Sequence, residues 1–137
     1  ISRPRLGAIV FSDPNALARL EALTHPAVRE RLAQMVAAST RPVIMIEAIK
    51  LIEAGLAQLC DEVWVVTSPE SEQVKRLVAT RGLSDSDALL RARAQPPQAE
   101  KVKAAHVALD NSGSQPALLR QVEAEWRRIQ AKLKPAA

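Results

Sequence analysis

A chain of 137 residues, 47% hydrophobic and 25% charged, has the apolar content of one folded domain of common size and can bury a real core. Three aromatics (Phe11, Trp64 and Trp126) give no stacking platform for single-stranded nucleic acid, and no apolar run approaches membrane-spanning length. Neither nucleic acid nor membrane is therefore expected as a partner, despite a pI near 9.7. A single cysteine, Cys60, excludes an internal disulfide. It fits a reducing compartment and, with no signal-peptide pattern at the start, a cytoplasmic location.

The chain opens on Ile1 rather than Met, so an upstream segment is expected. Residues 1–11 lead into a helix start at Ser12-Asp13-Pro14, where a capping side chain precedes a proline at the first helical position. Leu17, Leu20 and Leu23 give that helix its apolar stripe. Thr24-His25-Pro26 repeats the signal and predicts a second helix, with Val28, Leu32, Met35 and Val36 at helical spacing. After Arg41-Pro42, the run Val43–Glu47 (VIMIE) predicts a strand buried on both faces. Leu51, Ile52 and Glu53 then predict a short helix reaching Gly55.

VWVVT (Val63–Thr67) predicts a second strand, ended by Ser68-Pro69-Glu70, a helix start with acids in its first turn. That helix closes near Gly82. Ser84 and Asp87 form a capping box for the next, which presents Arg91 and Arg93 until Pro96-Pro97 stops it. A short basic turn leads to a third strand, VALD (Val107–Asp110), and Asn111-Ser112-Gly113 turns the chain out. The last helix runs from Pro116 to about Leu133. Strands separated by helices predict an α/β fold with a parallel sheet.

Charge is not spread evenly over these elements. Between Lys75 and Lys103 stand seven basic residues (Lys75, Arg76, Arg81, Arg91, Arg93, Lys101, Lys103) against Asp85, Asp87 and Glu100, an excess of +4. The whole chain also carries +4, so the remainder balances. Excess confined to one segment points to a local anion site, the plainer alternative being a solvated helical hairpin.

LEALTHPAVRE, the apolar strand ending in an acid, LIEAGL, VWVVTSPESEQVKRL, the GLS turn, Arg91 and Gln95 as R-x-x-x-Q, Glu100-Lys101 and the closing DNSG together resemble the dephospho-CoA kinases. The match runs from Leu6 to Ile129, and its specificity lies in order and spacing. The resemblance implies a P-loop kinase fold, a three-layer parallel sheet with helical acceptor-binding and lid parts. It also implies transfer of the γ-phosphoryl of ATP, with Mg²⁺, to the ribose 3′-hydroxyl of dephospho-CoA. Its parts would be a helical acceptor region (1–40), core strands and helices (41–80), a basic lid (81–104), and the last core strand and helix (105–137).

By the same resemblance, Arg91 is the catalytic cation of the lid, where fixed charge meets the spread charge of the transferred group. Arg76, Arg81, Gln95, Lys101, Asn111 and Gly113 fall to the nucleotide, the last two near the adenine. His25, Glu47 and Glu53 fall to the acceptor, although His25 also suits a local capping or packing role. No metal ligand is assigned.

The sequence departs from the family pattern in several places. Ile49-Lys50-Leu51 replaces Pro-Leu-Leu, Glu47 replaces an Asp, Thr80-Arg81 replaces Arg-Asp, and His106 stands where Asp is common. Most important, no G-x-x-x-x-G-K-[ST] occurs, and Gly7, Gly55, Gly82 and Gly113 are too dispersed for a phosphate cradle. The expected protein is then the C-terminal part of such a kinase, inactive without an N-terminal unit that seats ATP phosphates and Mg²⁺. The alternative is a non-catalytic CoA- or nucleotide-binding or assembly module. In the family the P-loop strand lies between the strands matching Val43–Glu47 and Val63–Thr67. Without it these two are expected to pair directly, to accept a strand from another copy, or to await an upstream segment, and exposed edges favour self-association.

Overall fold

Two short apolar runs, WVVT and VALD, find each other across the chain and make a parallel pair, β1 (Trp64–Thr67) and β2 (Val107–Asp110). The register matches Trp64 with Val107 and Thr67 with Asp110. The computed structural model describes residues 1–10 and 12–133. Phe11 and the last four residues, assigned above to the lead-in and the C-terminal part, lie outside them. The chain divides into two compact units, Ile1–Leu59 and Cys60–Ala137.

The first unit is helical. α1 (Arg3–Val10), which sequence patterning left unassigned, packs against α2 (Pro14–Ala37). Asp13 caps α2, its carboxylate accepting from the Asn15 N–H at 2.8 Å. The predicted break at Thr24-His25-Pro26 does not occur, and α2 runs through Pro26 as one 24-residue helix. The reason is local: the Thr24 hydroxyl donates back to the Leu20 carbonyl at 2.9 Å instead of capping forward. Pro26 removes one ladder bond without ending the helix.

Two further expectations fail in this unit. Val43–Glu47 is not a strand; the one sheet among the described residues contains β1 and β2 alone. An apolar extended run becomes a strand only when a neighbour accepts its ladder, and this one has Ile44 and Met45 exposed. The short helix predicted after it is a series of turns leading to a single 3₁₀ turn, Leu56–Leu59. Gly55, at φ 68°, redirects the backbone before a second helical turn can close. Val10, Ala54 and Leu56 are this unit's buried apolar residues among those described.

The second unit carries the α/β architecture. From β1 the chain passes through α3 (Glu70–Arg81), α4 (Asp85–Arg93) and α5 (Gln98–Lys103) to β2, then into α6 (Gln115–Leu133). α3 ends at Gly82, whose φ of 63° is the left-handed cap and whose N–H donates to the Val78 carbonyl. Ser84 caps α4 by accepting from the Asp87 N–H at 3.1 Å, while its hydroxyl donates to the Asp87 carboxylate at 2.7 Å. This is half of the expected box, because the carboxylate accepts from the Ser84 hydroxyl in place of the Ser84 N–H. α3 packs on α4, α5 against β1 and α6 against β2. Val63, Ala88 and Leu109 are buried.

Candidate functional site

A parallel pair directs both of its C-terminal ends the same way, and polar side chains crowd there. Asn111 donates its N–H to the Thr67 carbonyl at 2.8 Å, carrying the ladder one step past β2. The Thr67 hydroxyl donates to the Leu109 carbonyl at 3.3 Å. From α3, Arg76 Nη2 donates to the Asn111 carbonyl at 2.9 Å. From α6, Gln121 grips Asp110 twice, its Oε1 accepting the Asp110 N–H at 2.9 Å and its Nε2 donating to the Asp110 carbonyl at 2.8 Å. The Ser112 N–H and hydroxyl both donate to the Asp110 carboxylate at 2.8 Å. The loop after β2 is thus tied to β1, α3 and α6.

The loop after β1 is held similarly. The Ser68 N–H donates to Gln98 Oε1 at 3.0 Å, and the Ser68 carbonyl accepts from Gln73 Nε2 at 2.8 Å. The Ser68 hydroxyl is buried without a hydrogen-bond partner among the described residues. Thr67, Gln73, Gln98 and Gln121 carry no motif that would mark them in the sequence. Their partners lie elsewhere in the chain or in backbone atoms, so pattern reading missed them.

The basic segment sorts by what its cations touch. Arg93 chelates Glu70 through Nε and Nη2, both at 3.0 Å, and the Arg93 guanidinium holds the Glu70 carboxyl below its usual range. Lys75 pairs with Glu72 at 2.8 Å. Arg76 is spent on the Asn111 backbone. Arg81 and Arg91 are exposed with no side-chain partner among the described residues, and Gln95, just past α4, is likewise exposed. Lys101 is half-buried on α5, and Gly113 lies in an open turn with nothing within 4 Å of where a Cβ would stand. Of the residues assigned to the nucleotide, the structure joins Arg76 to Asn111. Arg81, Arg91 and Gln95 form no hydrogen-bonded cluster.

In the helical unit His25 is half-buried in the middle of α2, and Glu47 and Glu53 are exposed on the segment after it. A salt bridge joins Lys50 to Glu21, and that Lys50 contact holds the Glu21 carboxyl below its ordinary range, with a smaller contribution from His25. Among the described residues no three His, Cys, Asp or Glu side chains converge to hold a metal ion. A Mg²⁺ ion carried by nucleotide phosphates needs only one or two carboxylates, so it is not a matter for such a cage.

A second polar cluster sits at the opposite ends of the strands. Glu62 accepts from Arg128, including a 2.7 Å bond from Nη1, from Lys132 at 2.9 Å and from Trp64 Nε1 at 3.2 Å. These donors, Arg128 first, hold the Glu62 carboxyl far below its normal range. His106 accepts the Val63 N–H at Nδ1, 3.0 Å away. An open depression is lined by Glu62, His106, Glu125 and Arg128. Its carboxylates and Arg128 already satisfy one another, and open α/β sheets place their ligands at the other, carboxyl ends of the strands. The carboxyl-end loops are therefore the better candidate.

The family model for dephospho-CoA kinase matches residues 1–117. The dephospho-CoA kinase of Geobacter sulfurreducens is 45% identical over 130 residues, which cover 92% of this chain and 66% of that protein. That of Carboxydothermus hydrogenoformans is 44% identical over 117 residues, covering 83% and 57%. The chain thus spans about two thirds or less of the length of these curated relatives. Among solved structures, TT1252 from Thermus thermophilus has a TM-score of 0.75 at 37% identity, covering 93% of this chain and 66% of that one. The dephospho-CoA kinase from Campylobacter jejuni has a TM-score of 0.61 at 26% identity, covering 96% and 67%. With the family match extending over both compact units, the chain belongs to the dephospho-CoA kinase family.

Proposed function

We propose that the protein containing this chain transfers the γ-phosphoryl group of ATP to the ribose 3′-hydroxyl of dephospho-CoA. The observation that carries this reading is the family match over residues 1–117, which includes the acceptor region, the basic segment and the loop after β2. In this reading the loop Asp110–Gly113 lies beside the adenine, with Asn111 and Gly113 closest to it. Arg91 and Gln95 cover the phosphates, with Arg81 and Lys101 adding charge. His25, Glu47 and Glu53 serve the acceptor from the helical unit. Charge developing on the outer oxygens of the transferred group is what a fixed guanidinium stabilises, so exposed Arg91 suits that role better than paired Arg93. Bound Mg²⁺ would neutralise charge between the β- and γ-phosphates.

The phosphate cradle itself is absent from the 137 residues, which hold no G-x-x-x-x-G-K-[ST]. A segment outside this sequence supplies it in the proposed enzyme, and the 137-residue chain alone is inactive. The same absence favours a second reading, a module that binds CoA or nucleotide without catalysis. One experiment decides between them. The full-length protein is incubated with ATP, Mg²⁺ and dephospho-CoA, and the products are resolved by mass. ADP and a 3′-phosphorylated product from the full-length protein, with none from the 137-residue chain, support the kinase. Binding without turnover by the full-length protein supports the module. Turnover by the 137-residue chain would sink the view that the cradle lies elsewhere.

A further inference from the structure

We infer that Arg76 is a positioning residue for the nucleotide base, acting through the backbone of Asn111 rather than on a phosphate. The inference rests on the assignment of the Asp110–Gly113 loop to the base of ATP. Arg76 belongs by sequence to the basic segment, and a phosphate contact is the simple expectation for it. Its geometry says otherwise. The side chain is half-buried and Nη2 is committed to the Asn111 carbonyl at 2.9 Å. The N–H of the same residue is committed to the Thr67 carbonyl at 2.8 Å. On either side, Gln121 fixes both polar atoms of the Asp110 backbone, and the Asp110 carboxylate fixes Ser112.

Both backbone polar atoms of Asn111 are therefore engaged, and its carboxamide is the part with no partner among the described residues. A carboxamide offers one donor and one acceptor side by side, the pattern complementary to the N6 and N7 edge of adenine. Such a group reads a base only if its backbone cannot rotate away, and the Arg76 bond is the restraint arriving from α3. Without it, the Asn111 carbonyl loses a charged donor and the 111–112 peptide keeps a single restraint, the Ser112 N–H on the Asp110 carboxylate, so it turns more readily.

The test uses the full-length protein with Arg76→Ala, and with Arg76→Met should the alanine variant not fold, since Met keeps an apolar stem but has no donor. Hydrogen exchange at the Asn111 and Ser112 amides should quicken about tenfold. Equilibrium affinities for ATP and for adenosine should fall by the same factor, roughly five- to tenfold for one lost bond. The KM for ATP should rise correspondingly and kcat should change less. Arg76→Lys, which retains a charged donor, should recover most of each effect. Loss of affinity for ATP with adenosine unaffected would make Arg76 a phosphate contact and overturn the inference, as would unchanged exchange in the loop. Faster exchange with neither ligand weakened would move the base away from this loop, overturning the reading beneath the inference and the inference with it.

Discussion

Arg93 lays two donors, Nε and Nη2, on the two carboxylate oxygens of Glu70, each at 3.0 Å, and so fastens the end of α4 to the first turn of α3. The two residues stand 23 positions apart, and the pair removes one cation from the basic segment. Arg91, two positions earlier and exposed, keeps its guanidinium uncommitted among the described residues. If the proposed function holds, Arg91→Ala in the full-length protein is expected to lower kcat by on the order of 10²-fold and to raise the KM for dephospho-CoA much less, because a cation placed over the transferred group acts mainly on transition-state charge. Arg93→Ala should change kcat far less. Steady-state kinetics of the two variants side by side check this, and an unaltered kcat for Arg91→Ala would assign that residue to a solvated face.

Glu62 gives a pH prediction. Hydrogen bonds from Arg128, then Lys132, then Trp64 hold its carboxyl well below the ordinary value in the folded protein. A depressed folded value means that the carboxylate stabilises the fold at pH values above the unfolded one, about 4.3. That stabilisation is lost as pH falls from there towards the folded value. Glu62→Gln should therefore lower Tm at pH 7, and the gap from the parent protein should narrow steadily below about pH 4. Melting curves at pH 7, 4 and 3 would show it. A gap that stays constant over that range would mean the carboxylate charge is not what fastens α6 at this end of the sheet.

What the sequence made legible, and what it hid, divides along the range of the interactions. β2 falls on the predicted residues because VALD is an apolar run closed by a strong turn signal, Asn-Ser-Gly. β1 begins one residue later than predicted, at Trp64, although Val63 is buried and its carbonyl accepts from His106 and Val107. Gly82 and Ser84 mark helix ends through chemistry confined to a few neighbours. Pro26 misled because the fate of a proline inside an apolar pattern depends on where the adjacent Thr24 hydroxyl turns. Val43–Glu47 misled for a larger reason: composition says a segment could be a buried strand, but no local pattern says whether a partner lies beside it. The candidate site splits the same way. Asn111 and Gly113 were visible as a turn, whereas the hold of Arg76 and Gln121 on that turn spans 35 and 11 residues and leaves no periodic trace.

Two glycines with nearly equal φ, 68° at Gly55 and 63° at Gly82, should respond differently to alanine. Gly82, at φ 63°, has nothing within 4 Å of the added Cβ, so Gly82→Ala meets only the left-handed backbone cost, about 1–2 kcal/mol. Gly55, at φ 68°, would place its Cβ 2.7 Å from Arg29 Nη2, the atom that donates to the Ala54 carbonyl at 2.9 Å. Gly55→Ala should therefore cost more, by about the 1 kcal/mol net value of the displaced hydrogen bond. Because the excess acts through Arg29, the Gly55→Ala and Arg29→Ala effects should not add. Chemical denaturation of the single and double variants forms the cycle that reads this coupling. Full additivity would show that the guanidinium simply swings aside.

The last prediction concerns the extended segment that did not become a strand. Val43–Ile46 is apolar, and Ile44, Met45 and the nearby Ile49 are 43%, 82% and 73% exposed. Of the three arrangements expected for it, direct pairing with the strand at Val63–Thr67 is not adopted, since among the described residues the one sheet contains β1 and β2 alone. A run of this composition is a template for a strand from another chain, and natural proteins block such templates with a charge, a proline or a cover. Pro42 guards only the start and Glu47 only the end. The 137-residue chain should therefore self-associate as its concentration rises, with Met45→Lys reducing the association because it sets a charge in the middle of the run. Sedimentation velocity over a hundredfold concentration range tests both statements. A monomer across that range would refute the first, and association unaffected by Met45→Lys would place the contact elsewhere on the chain.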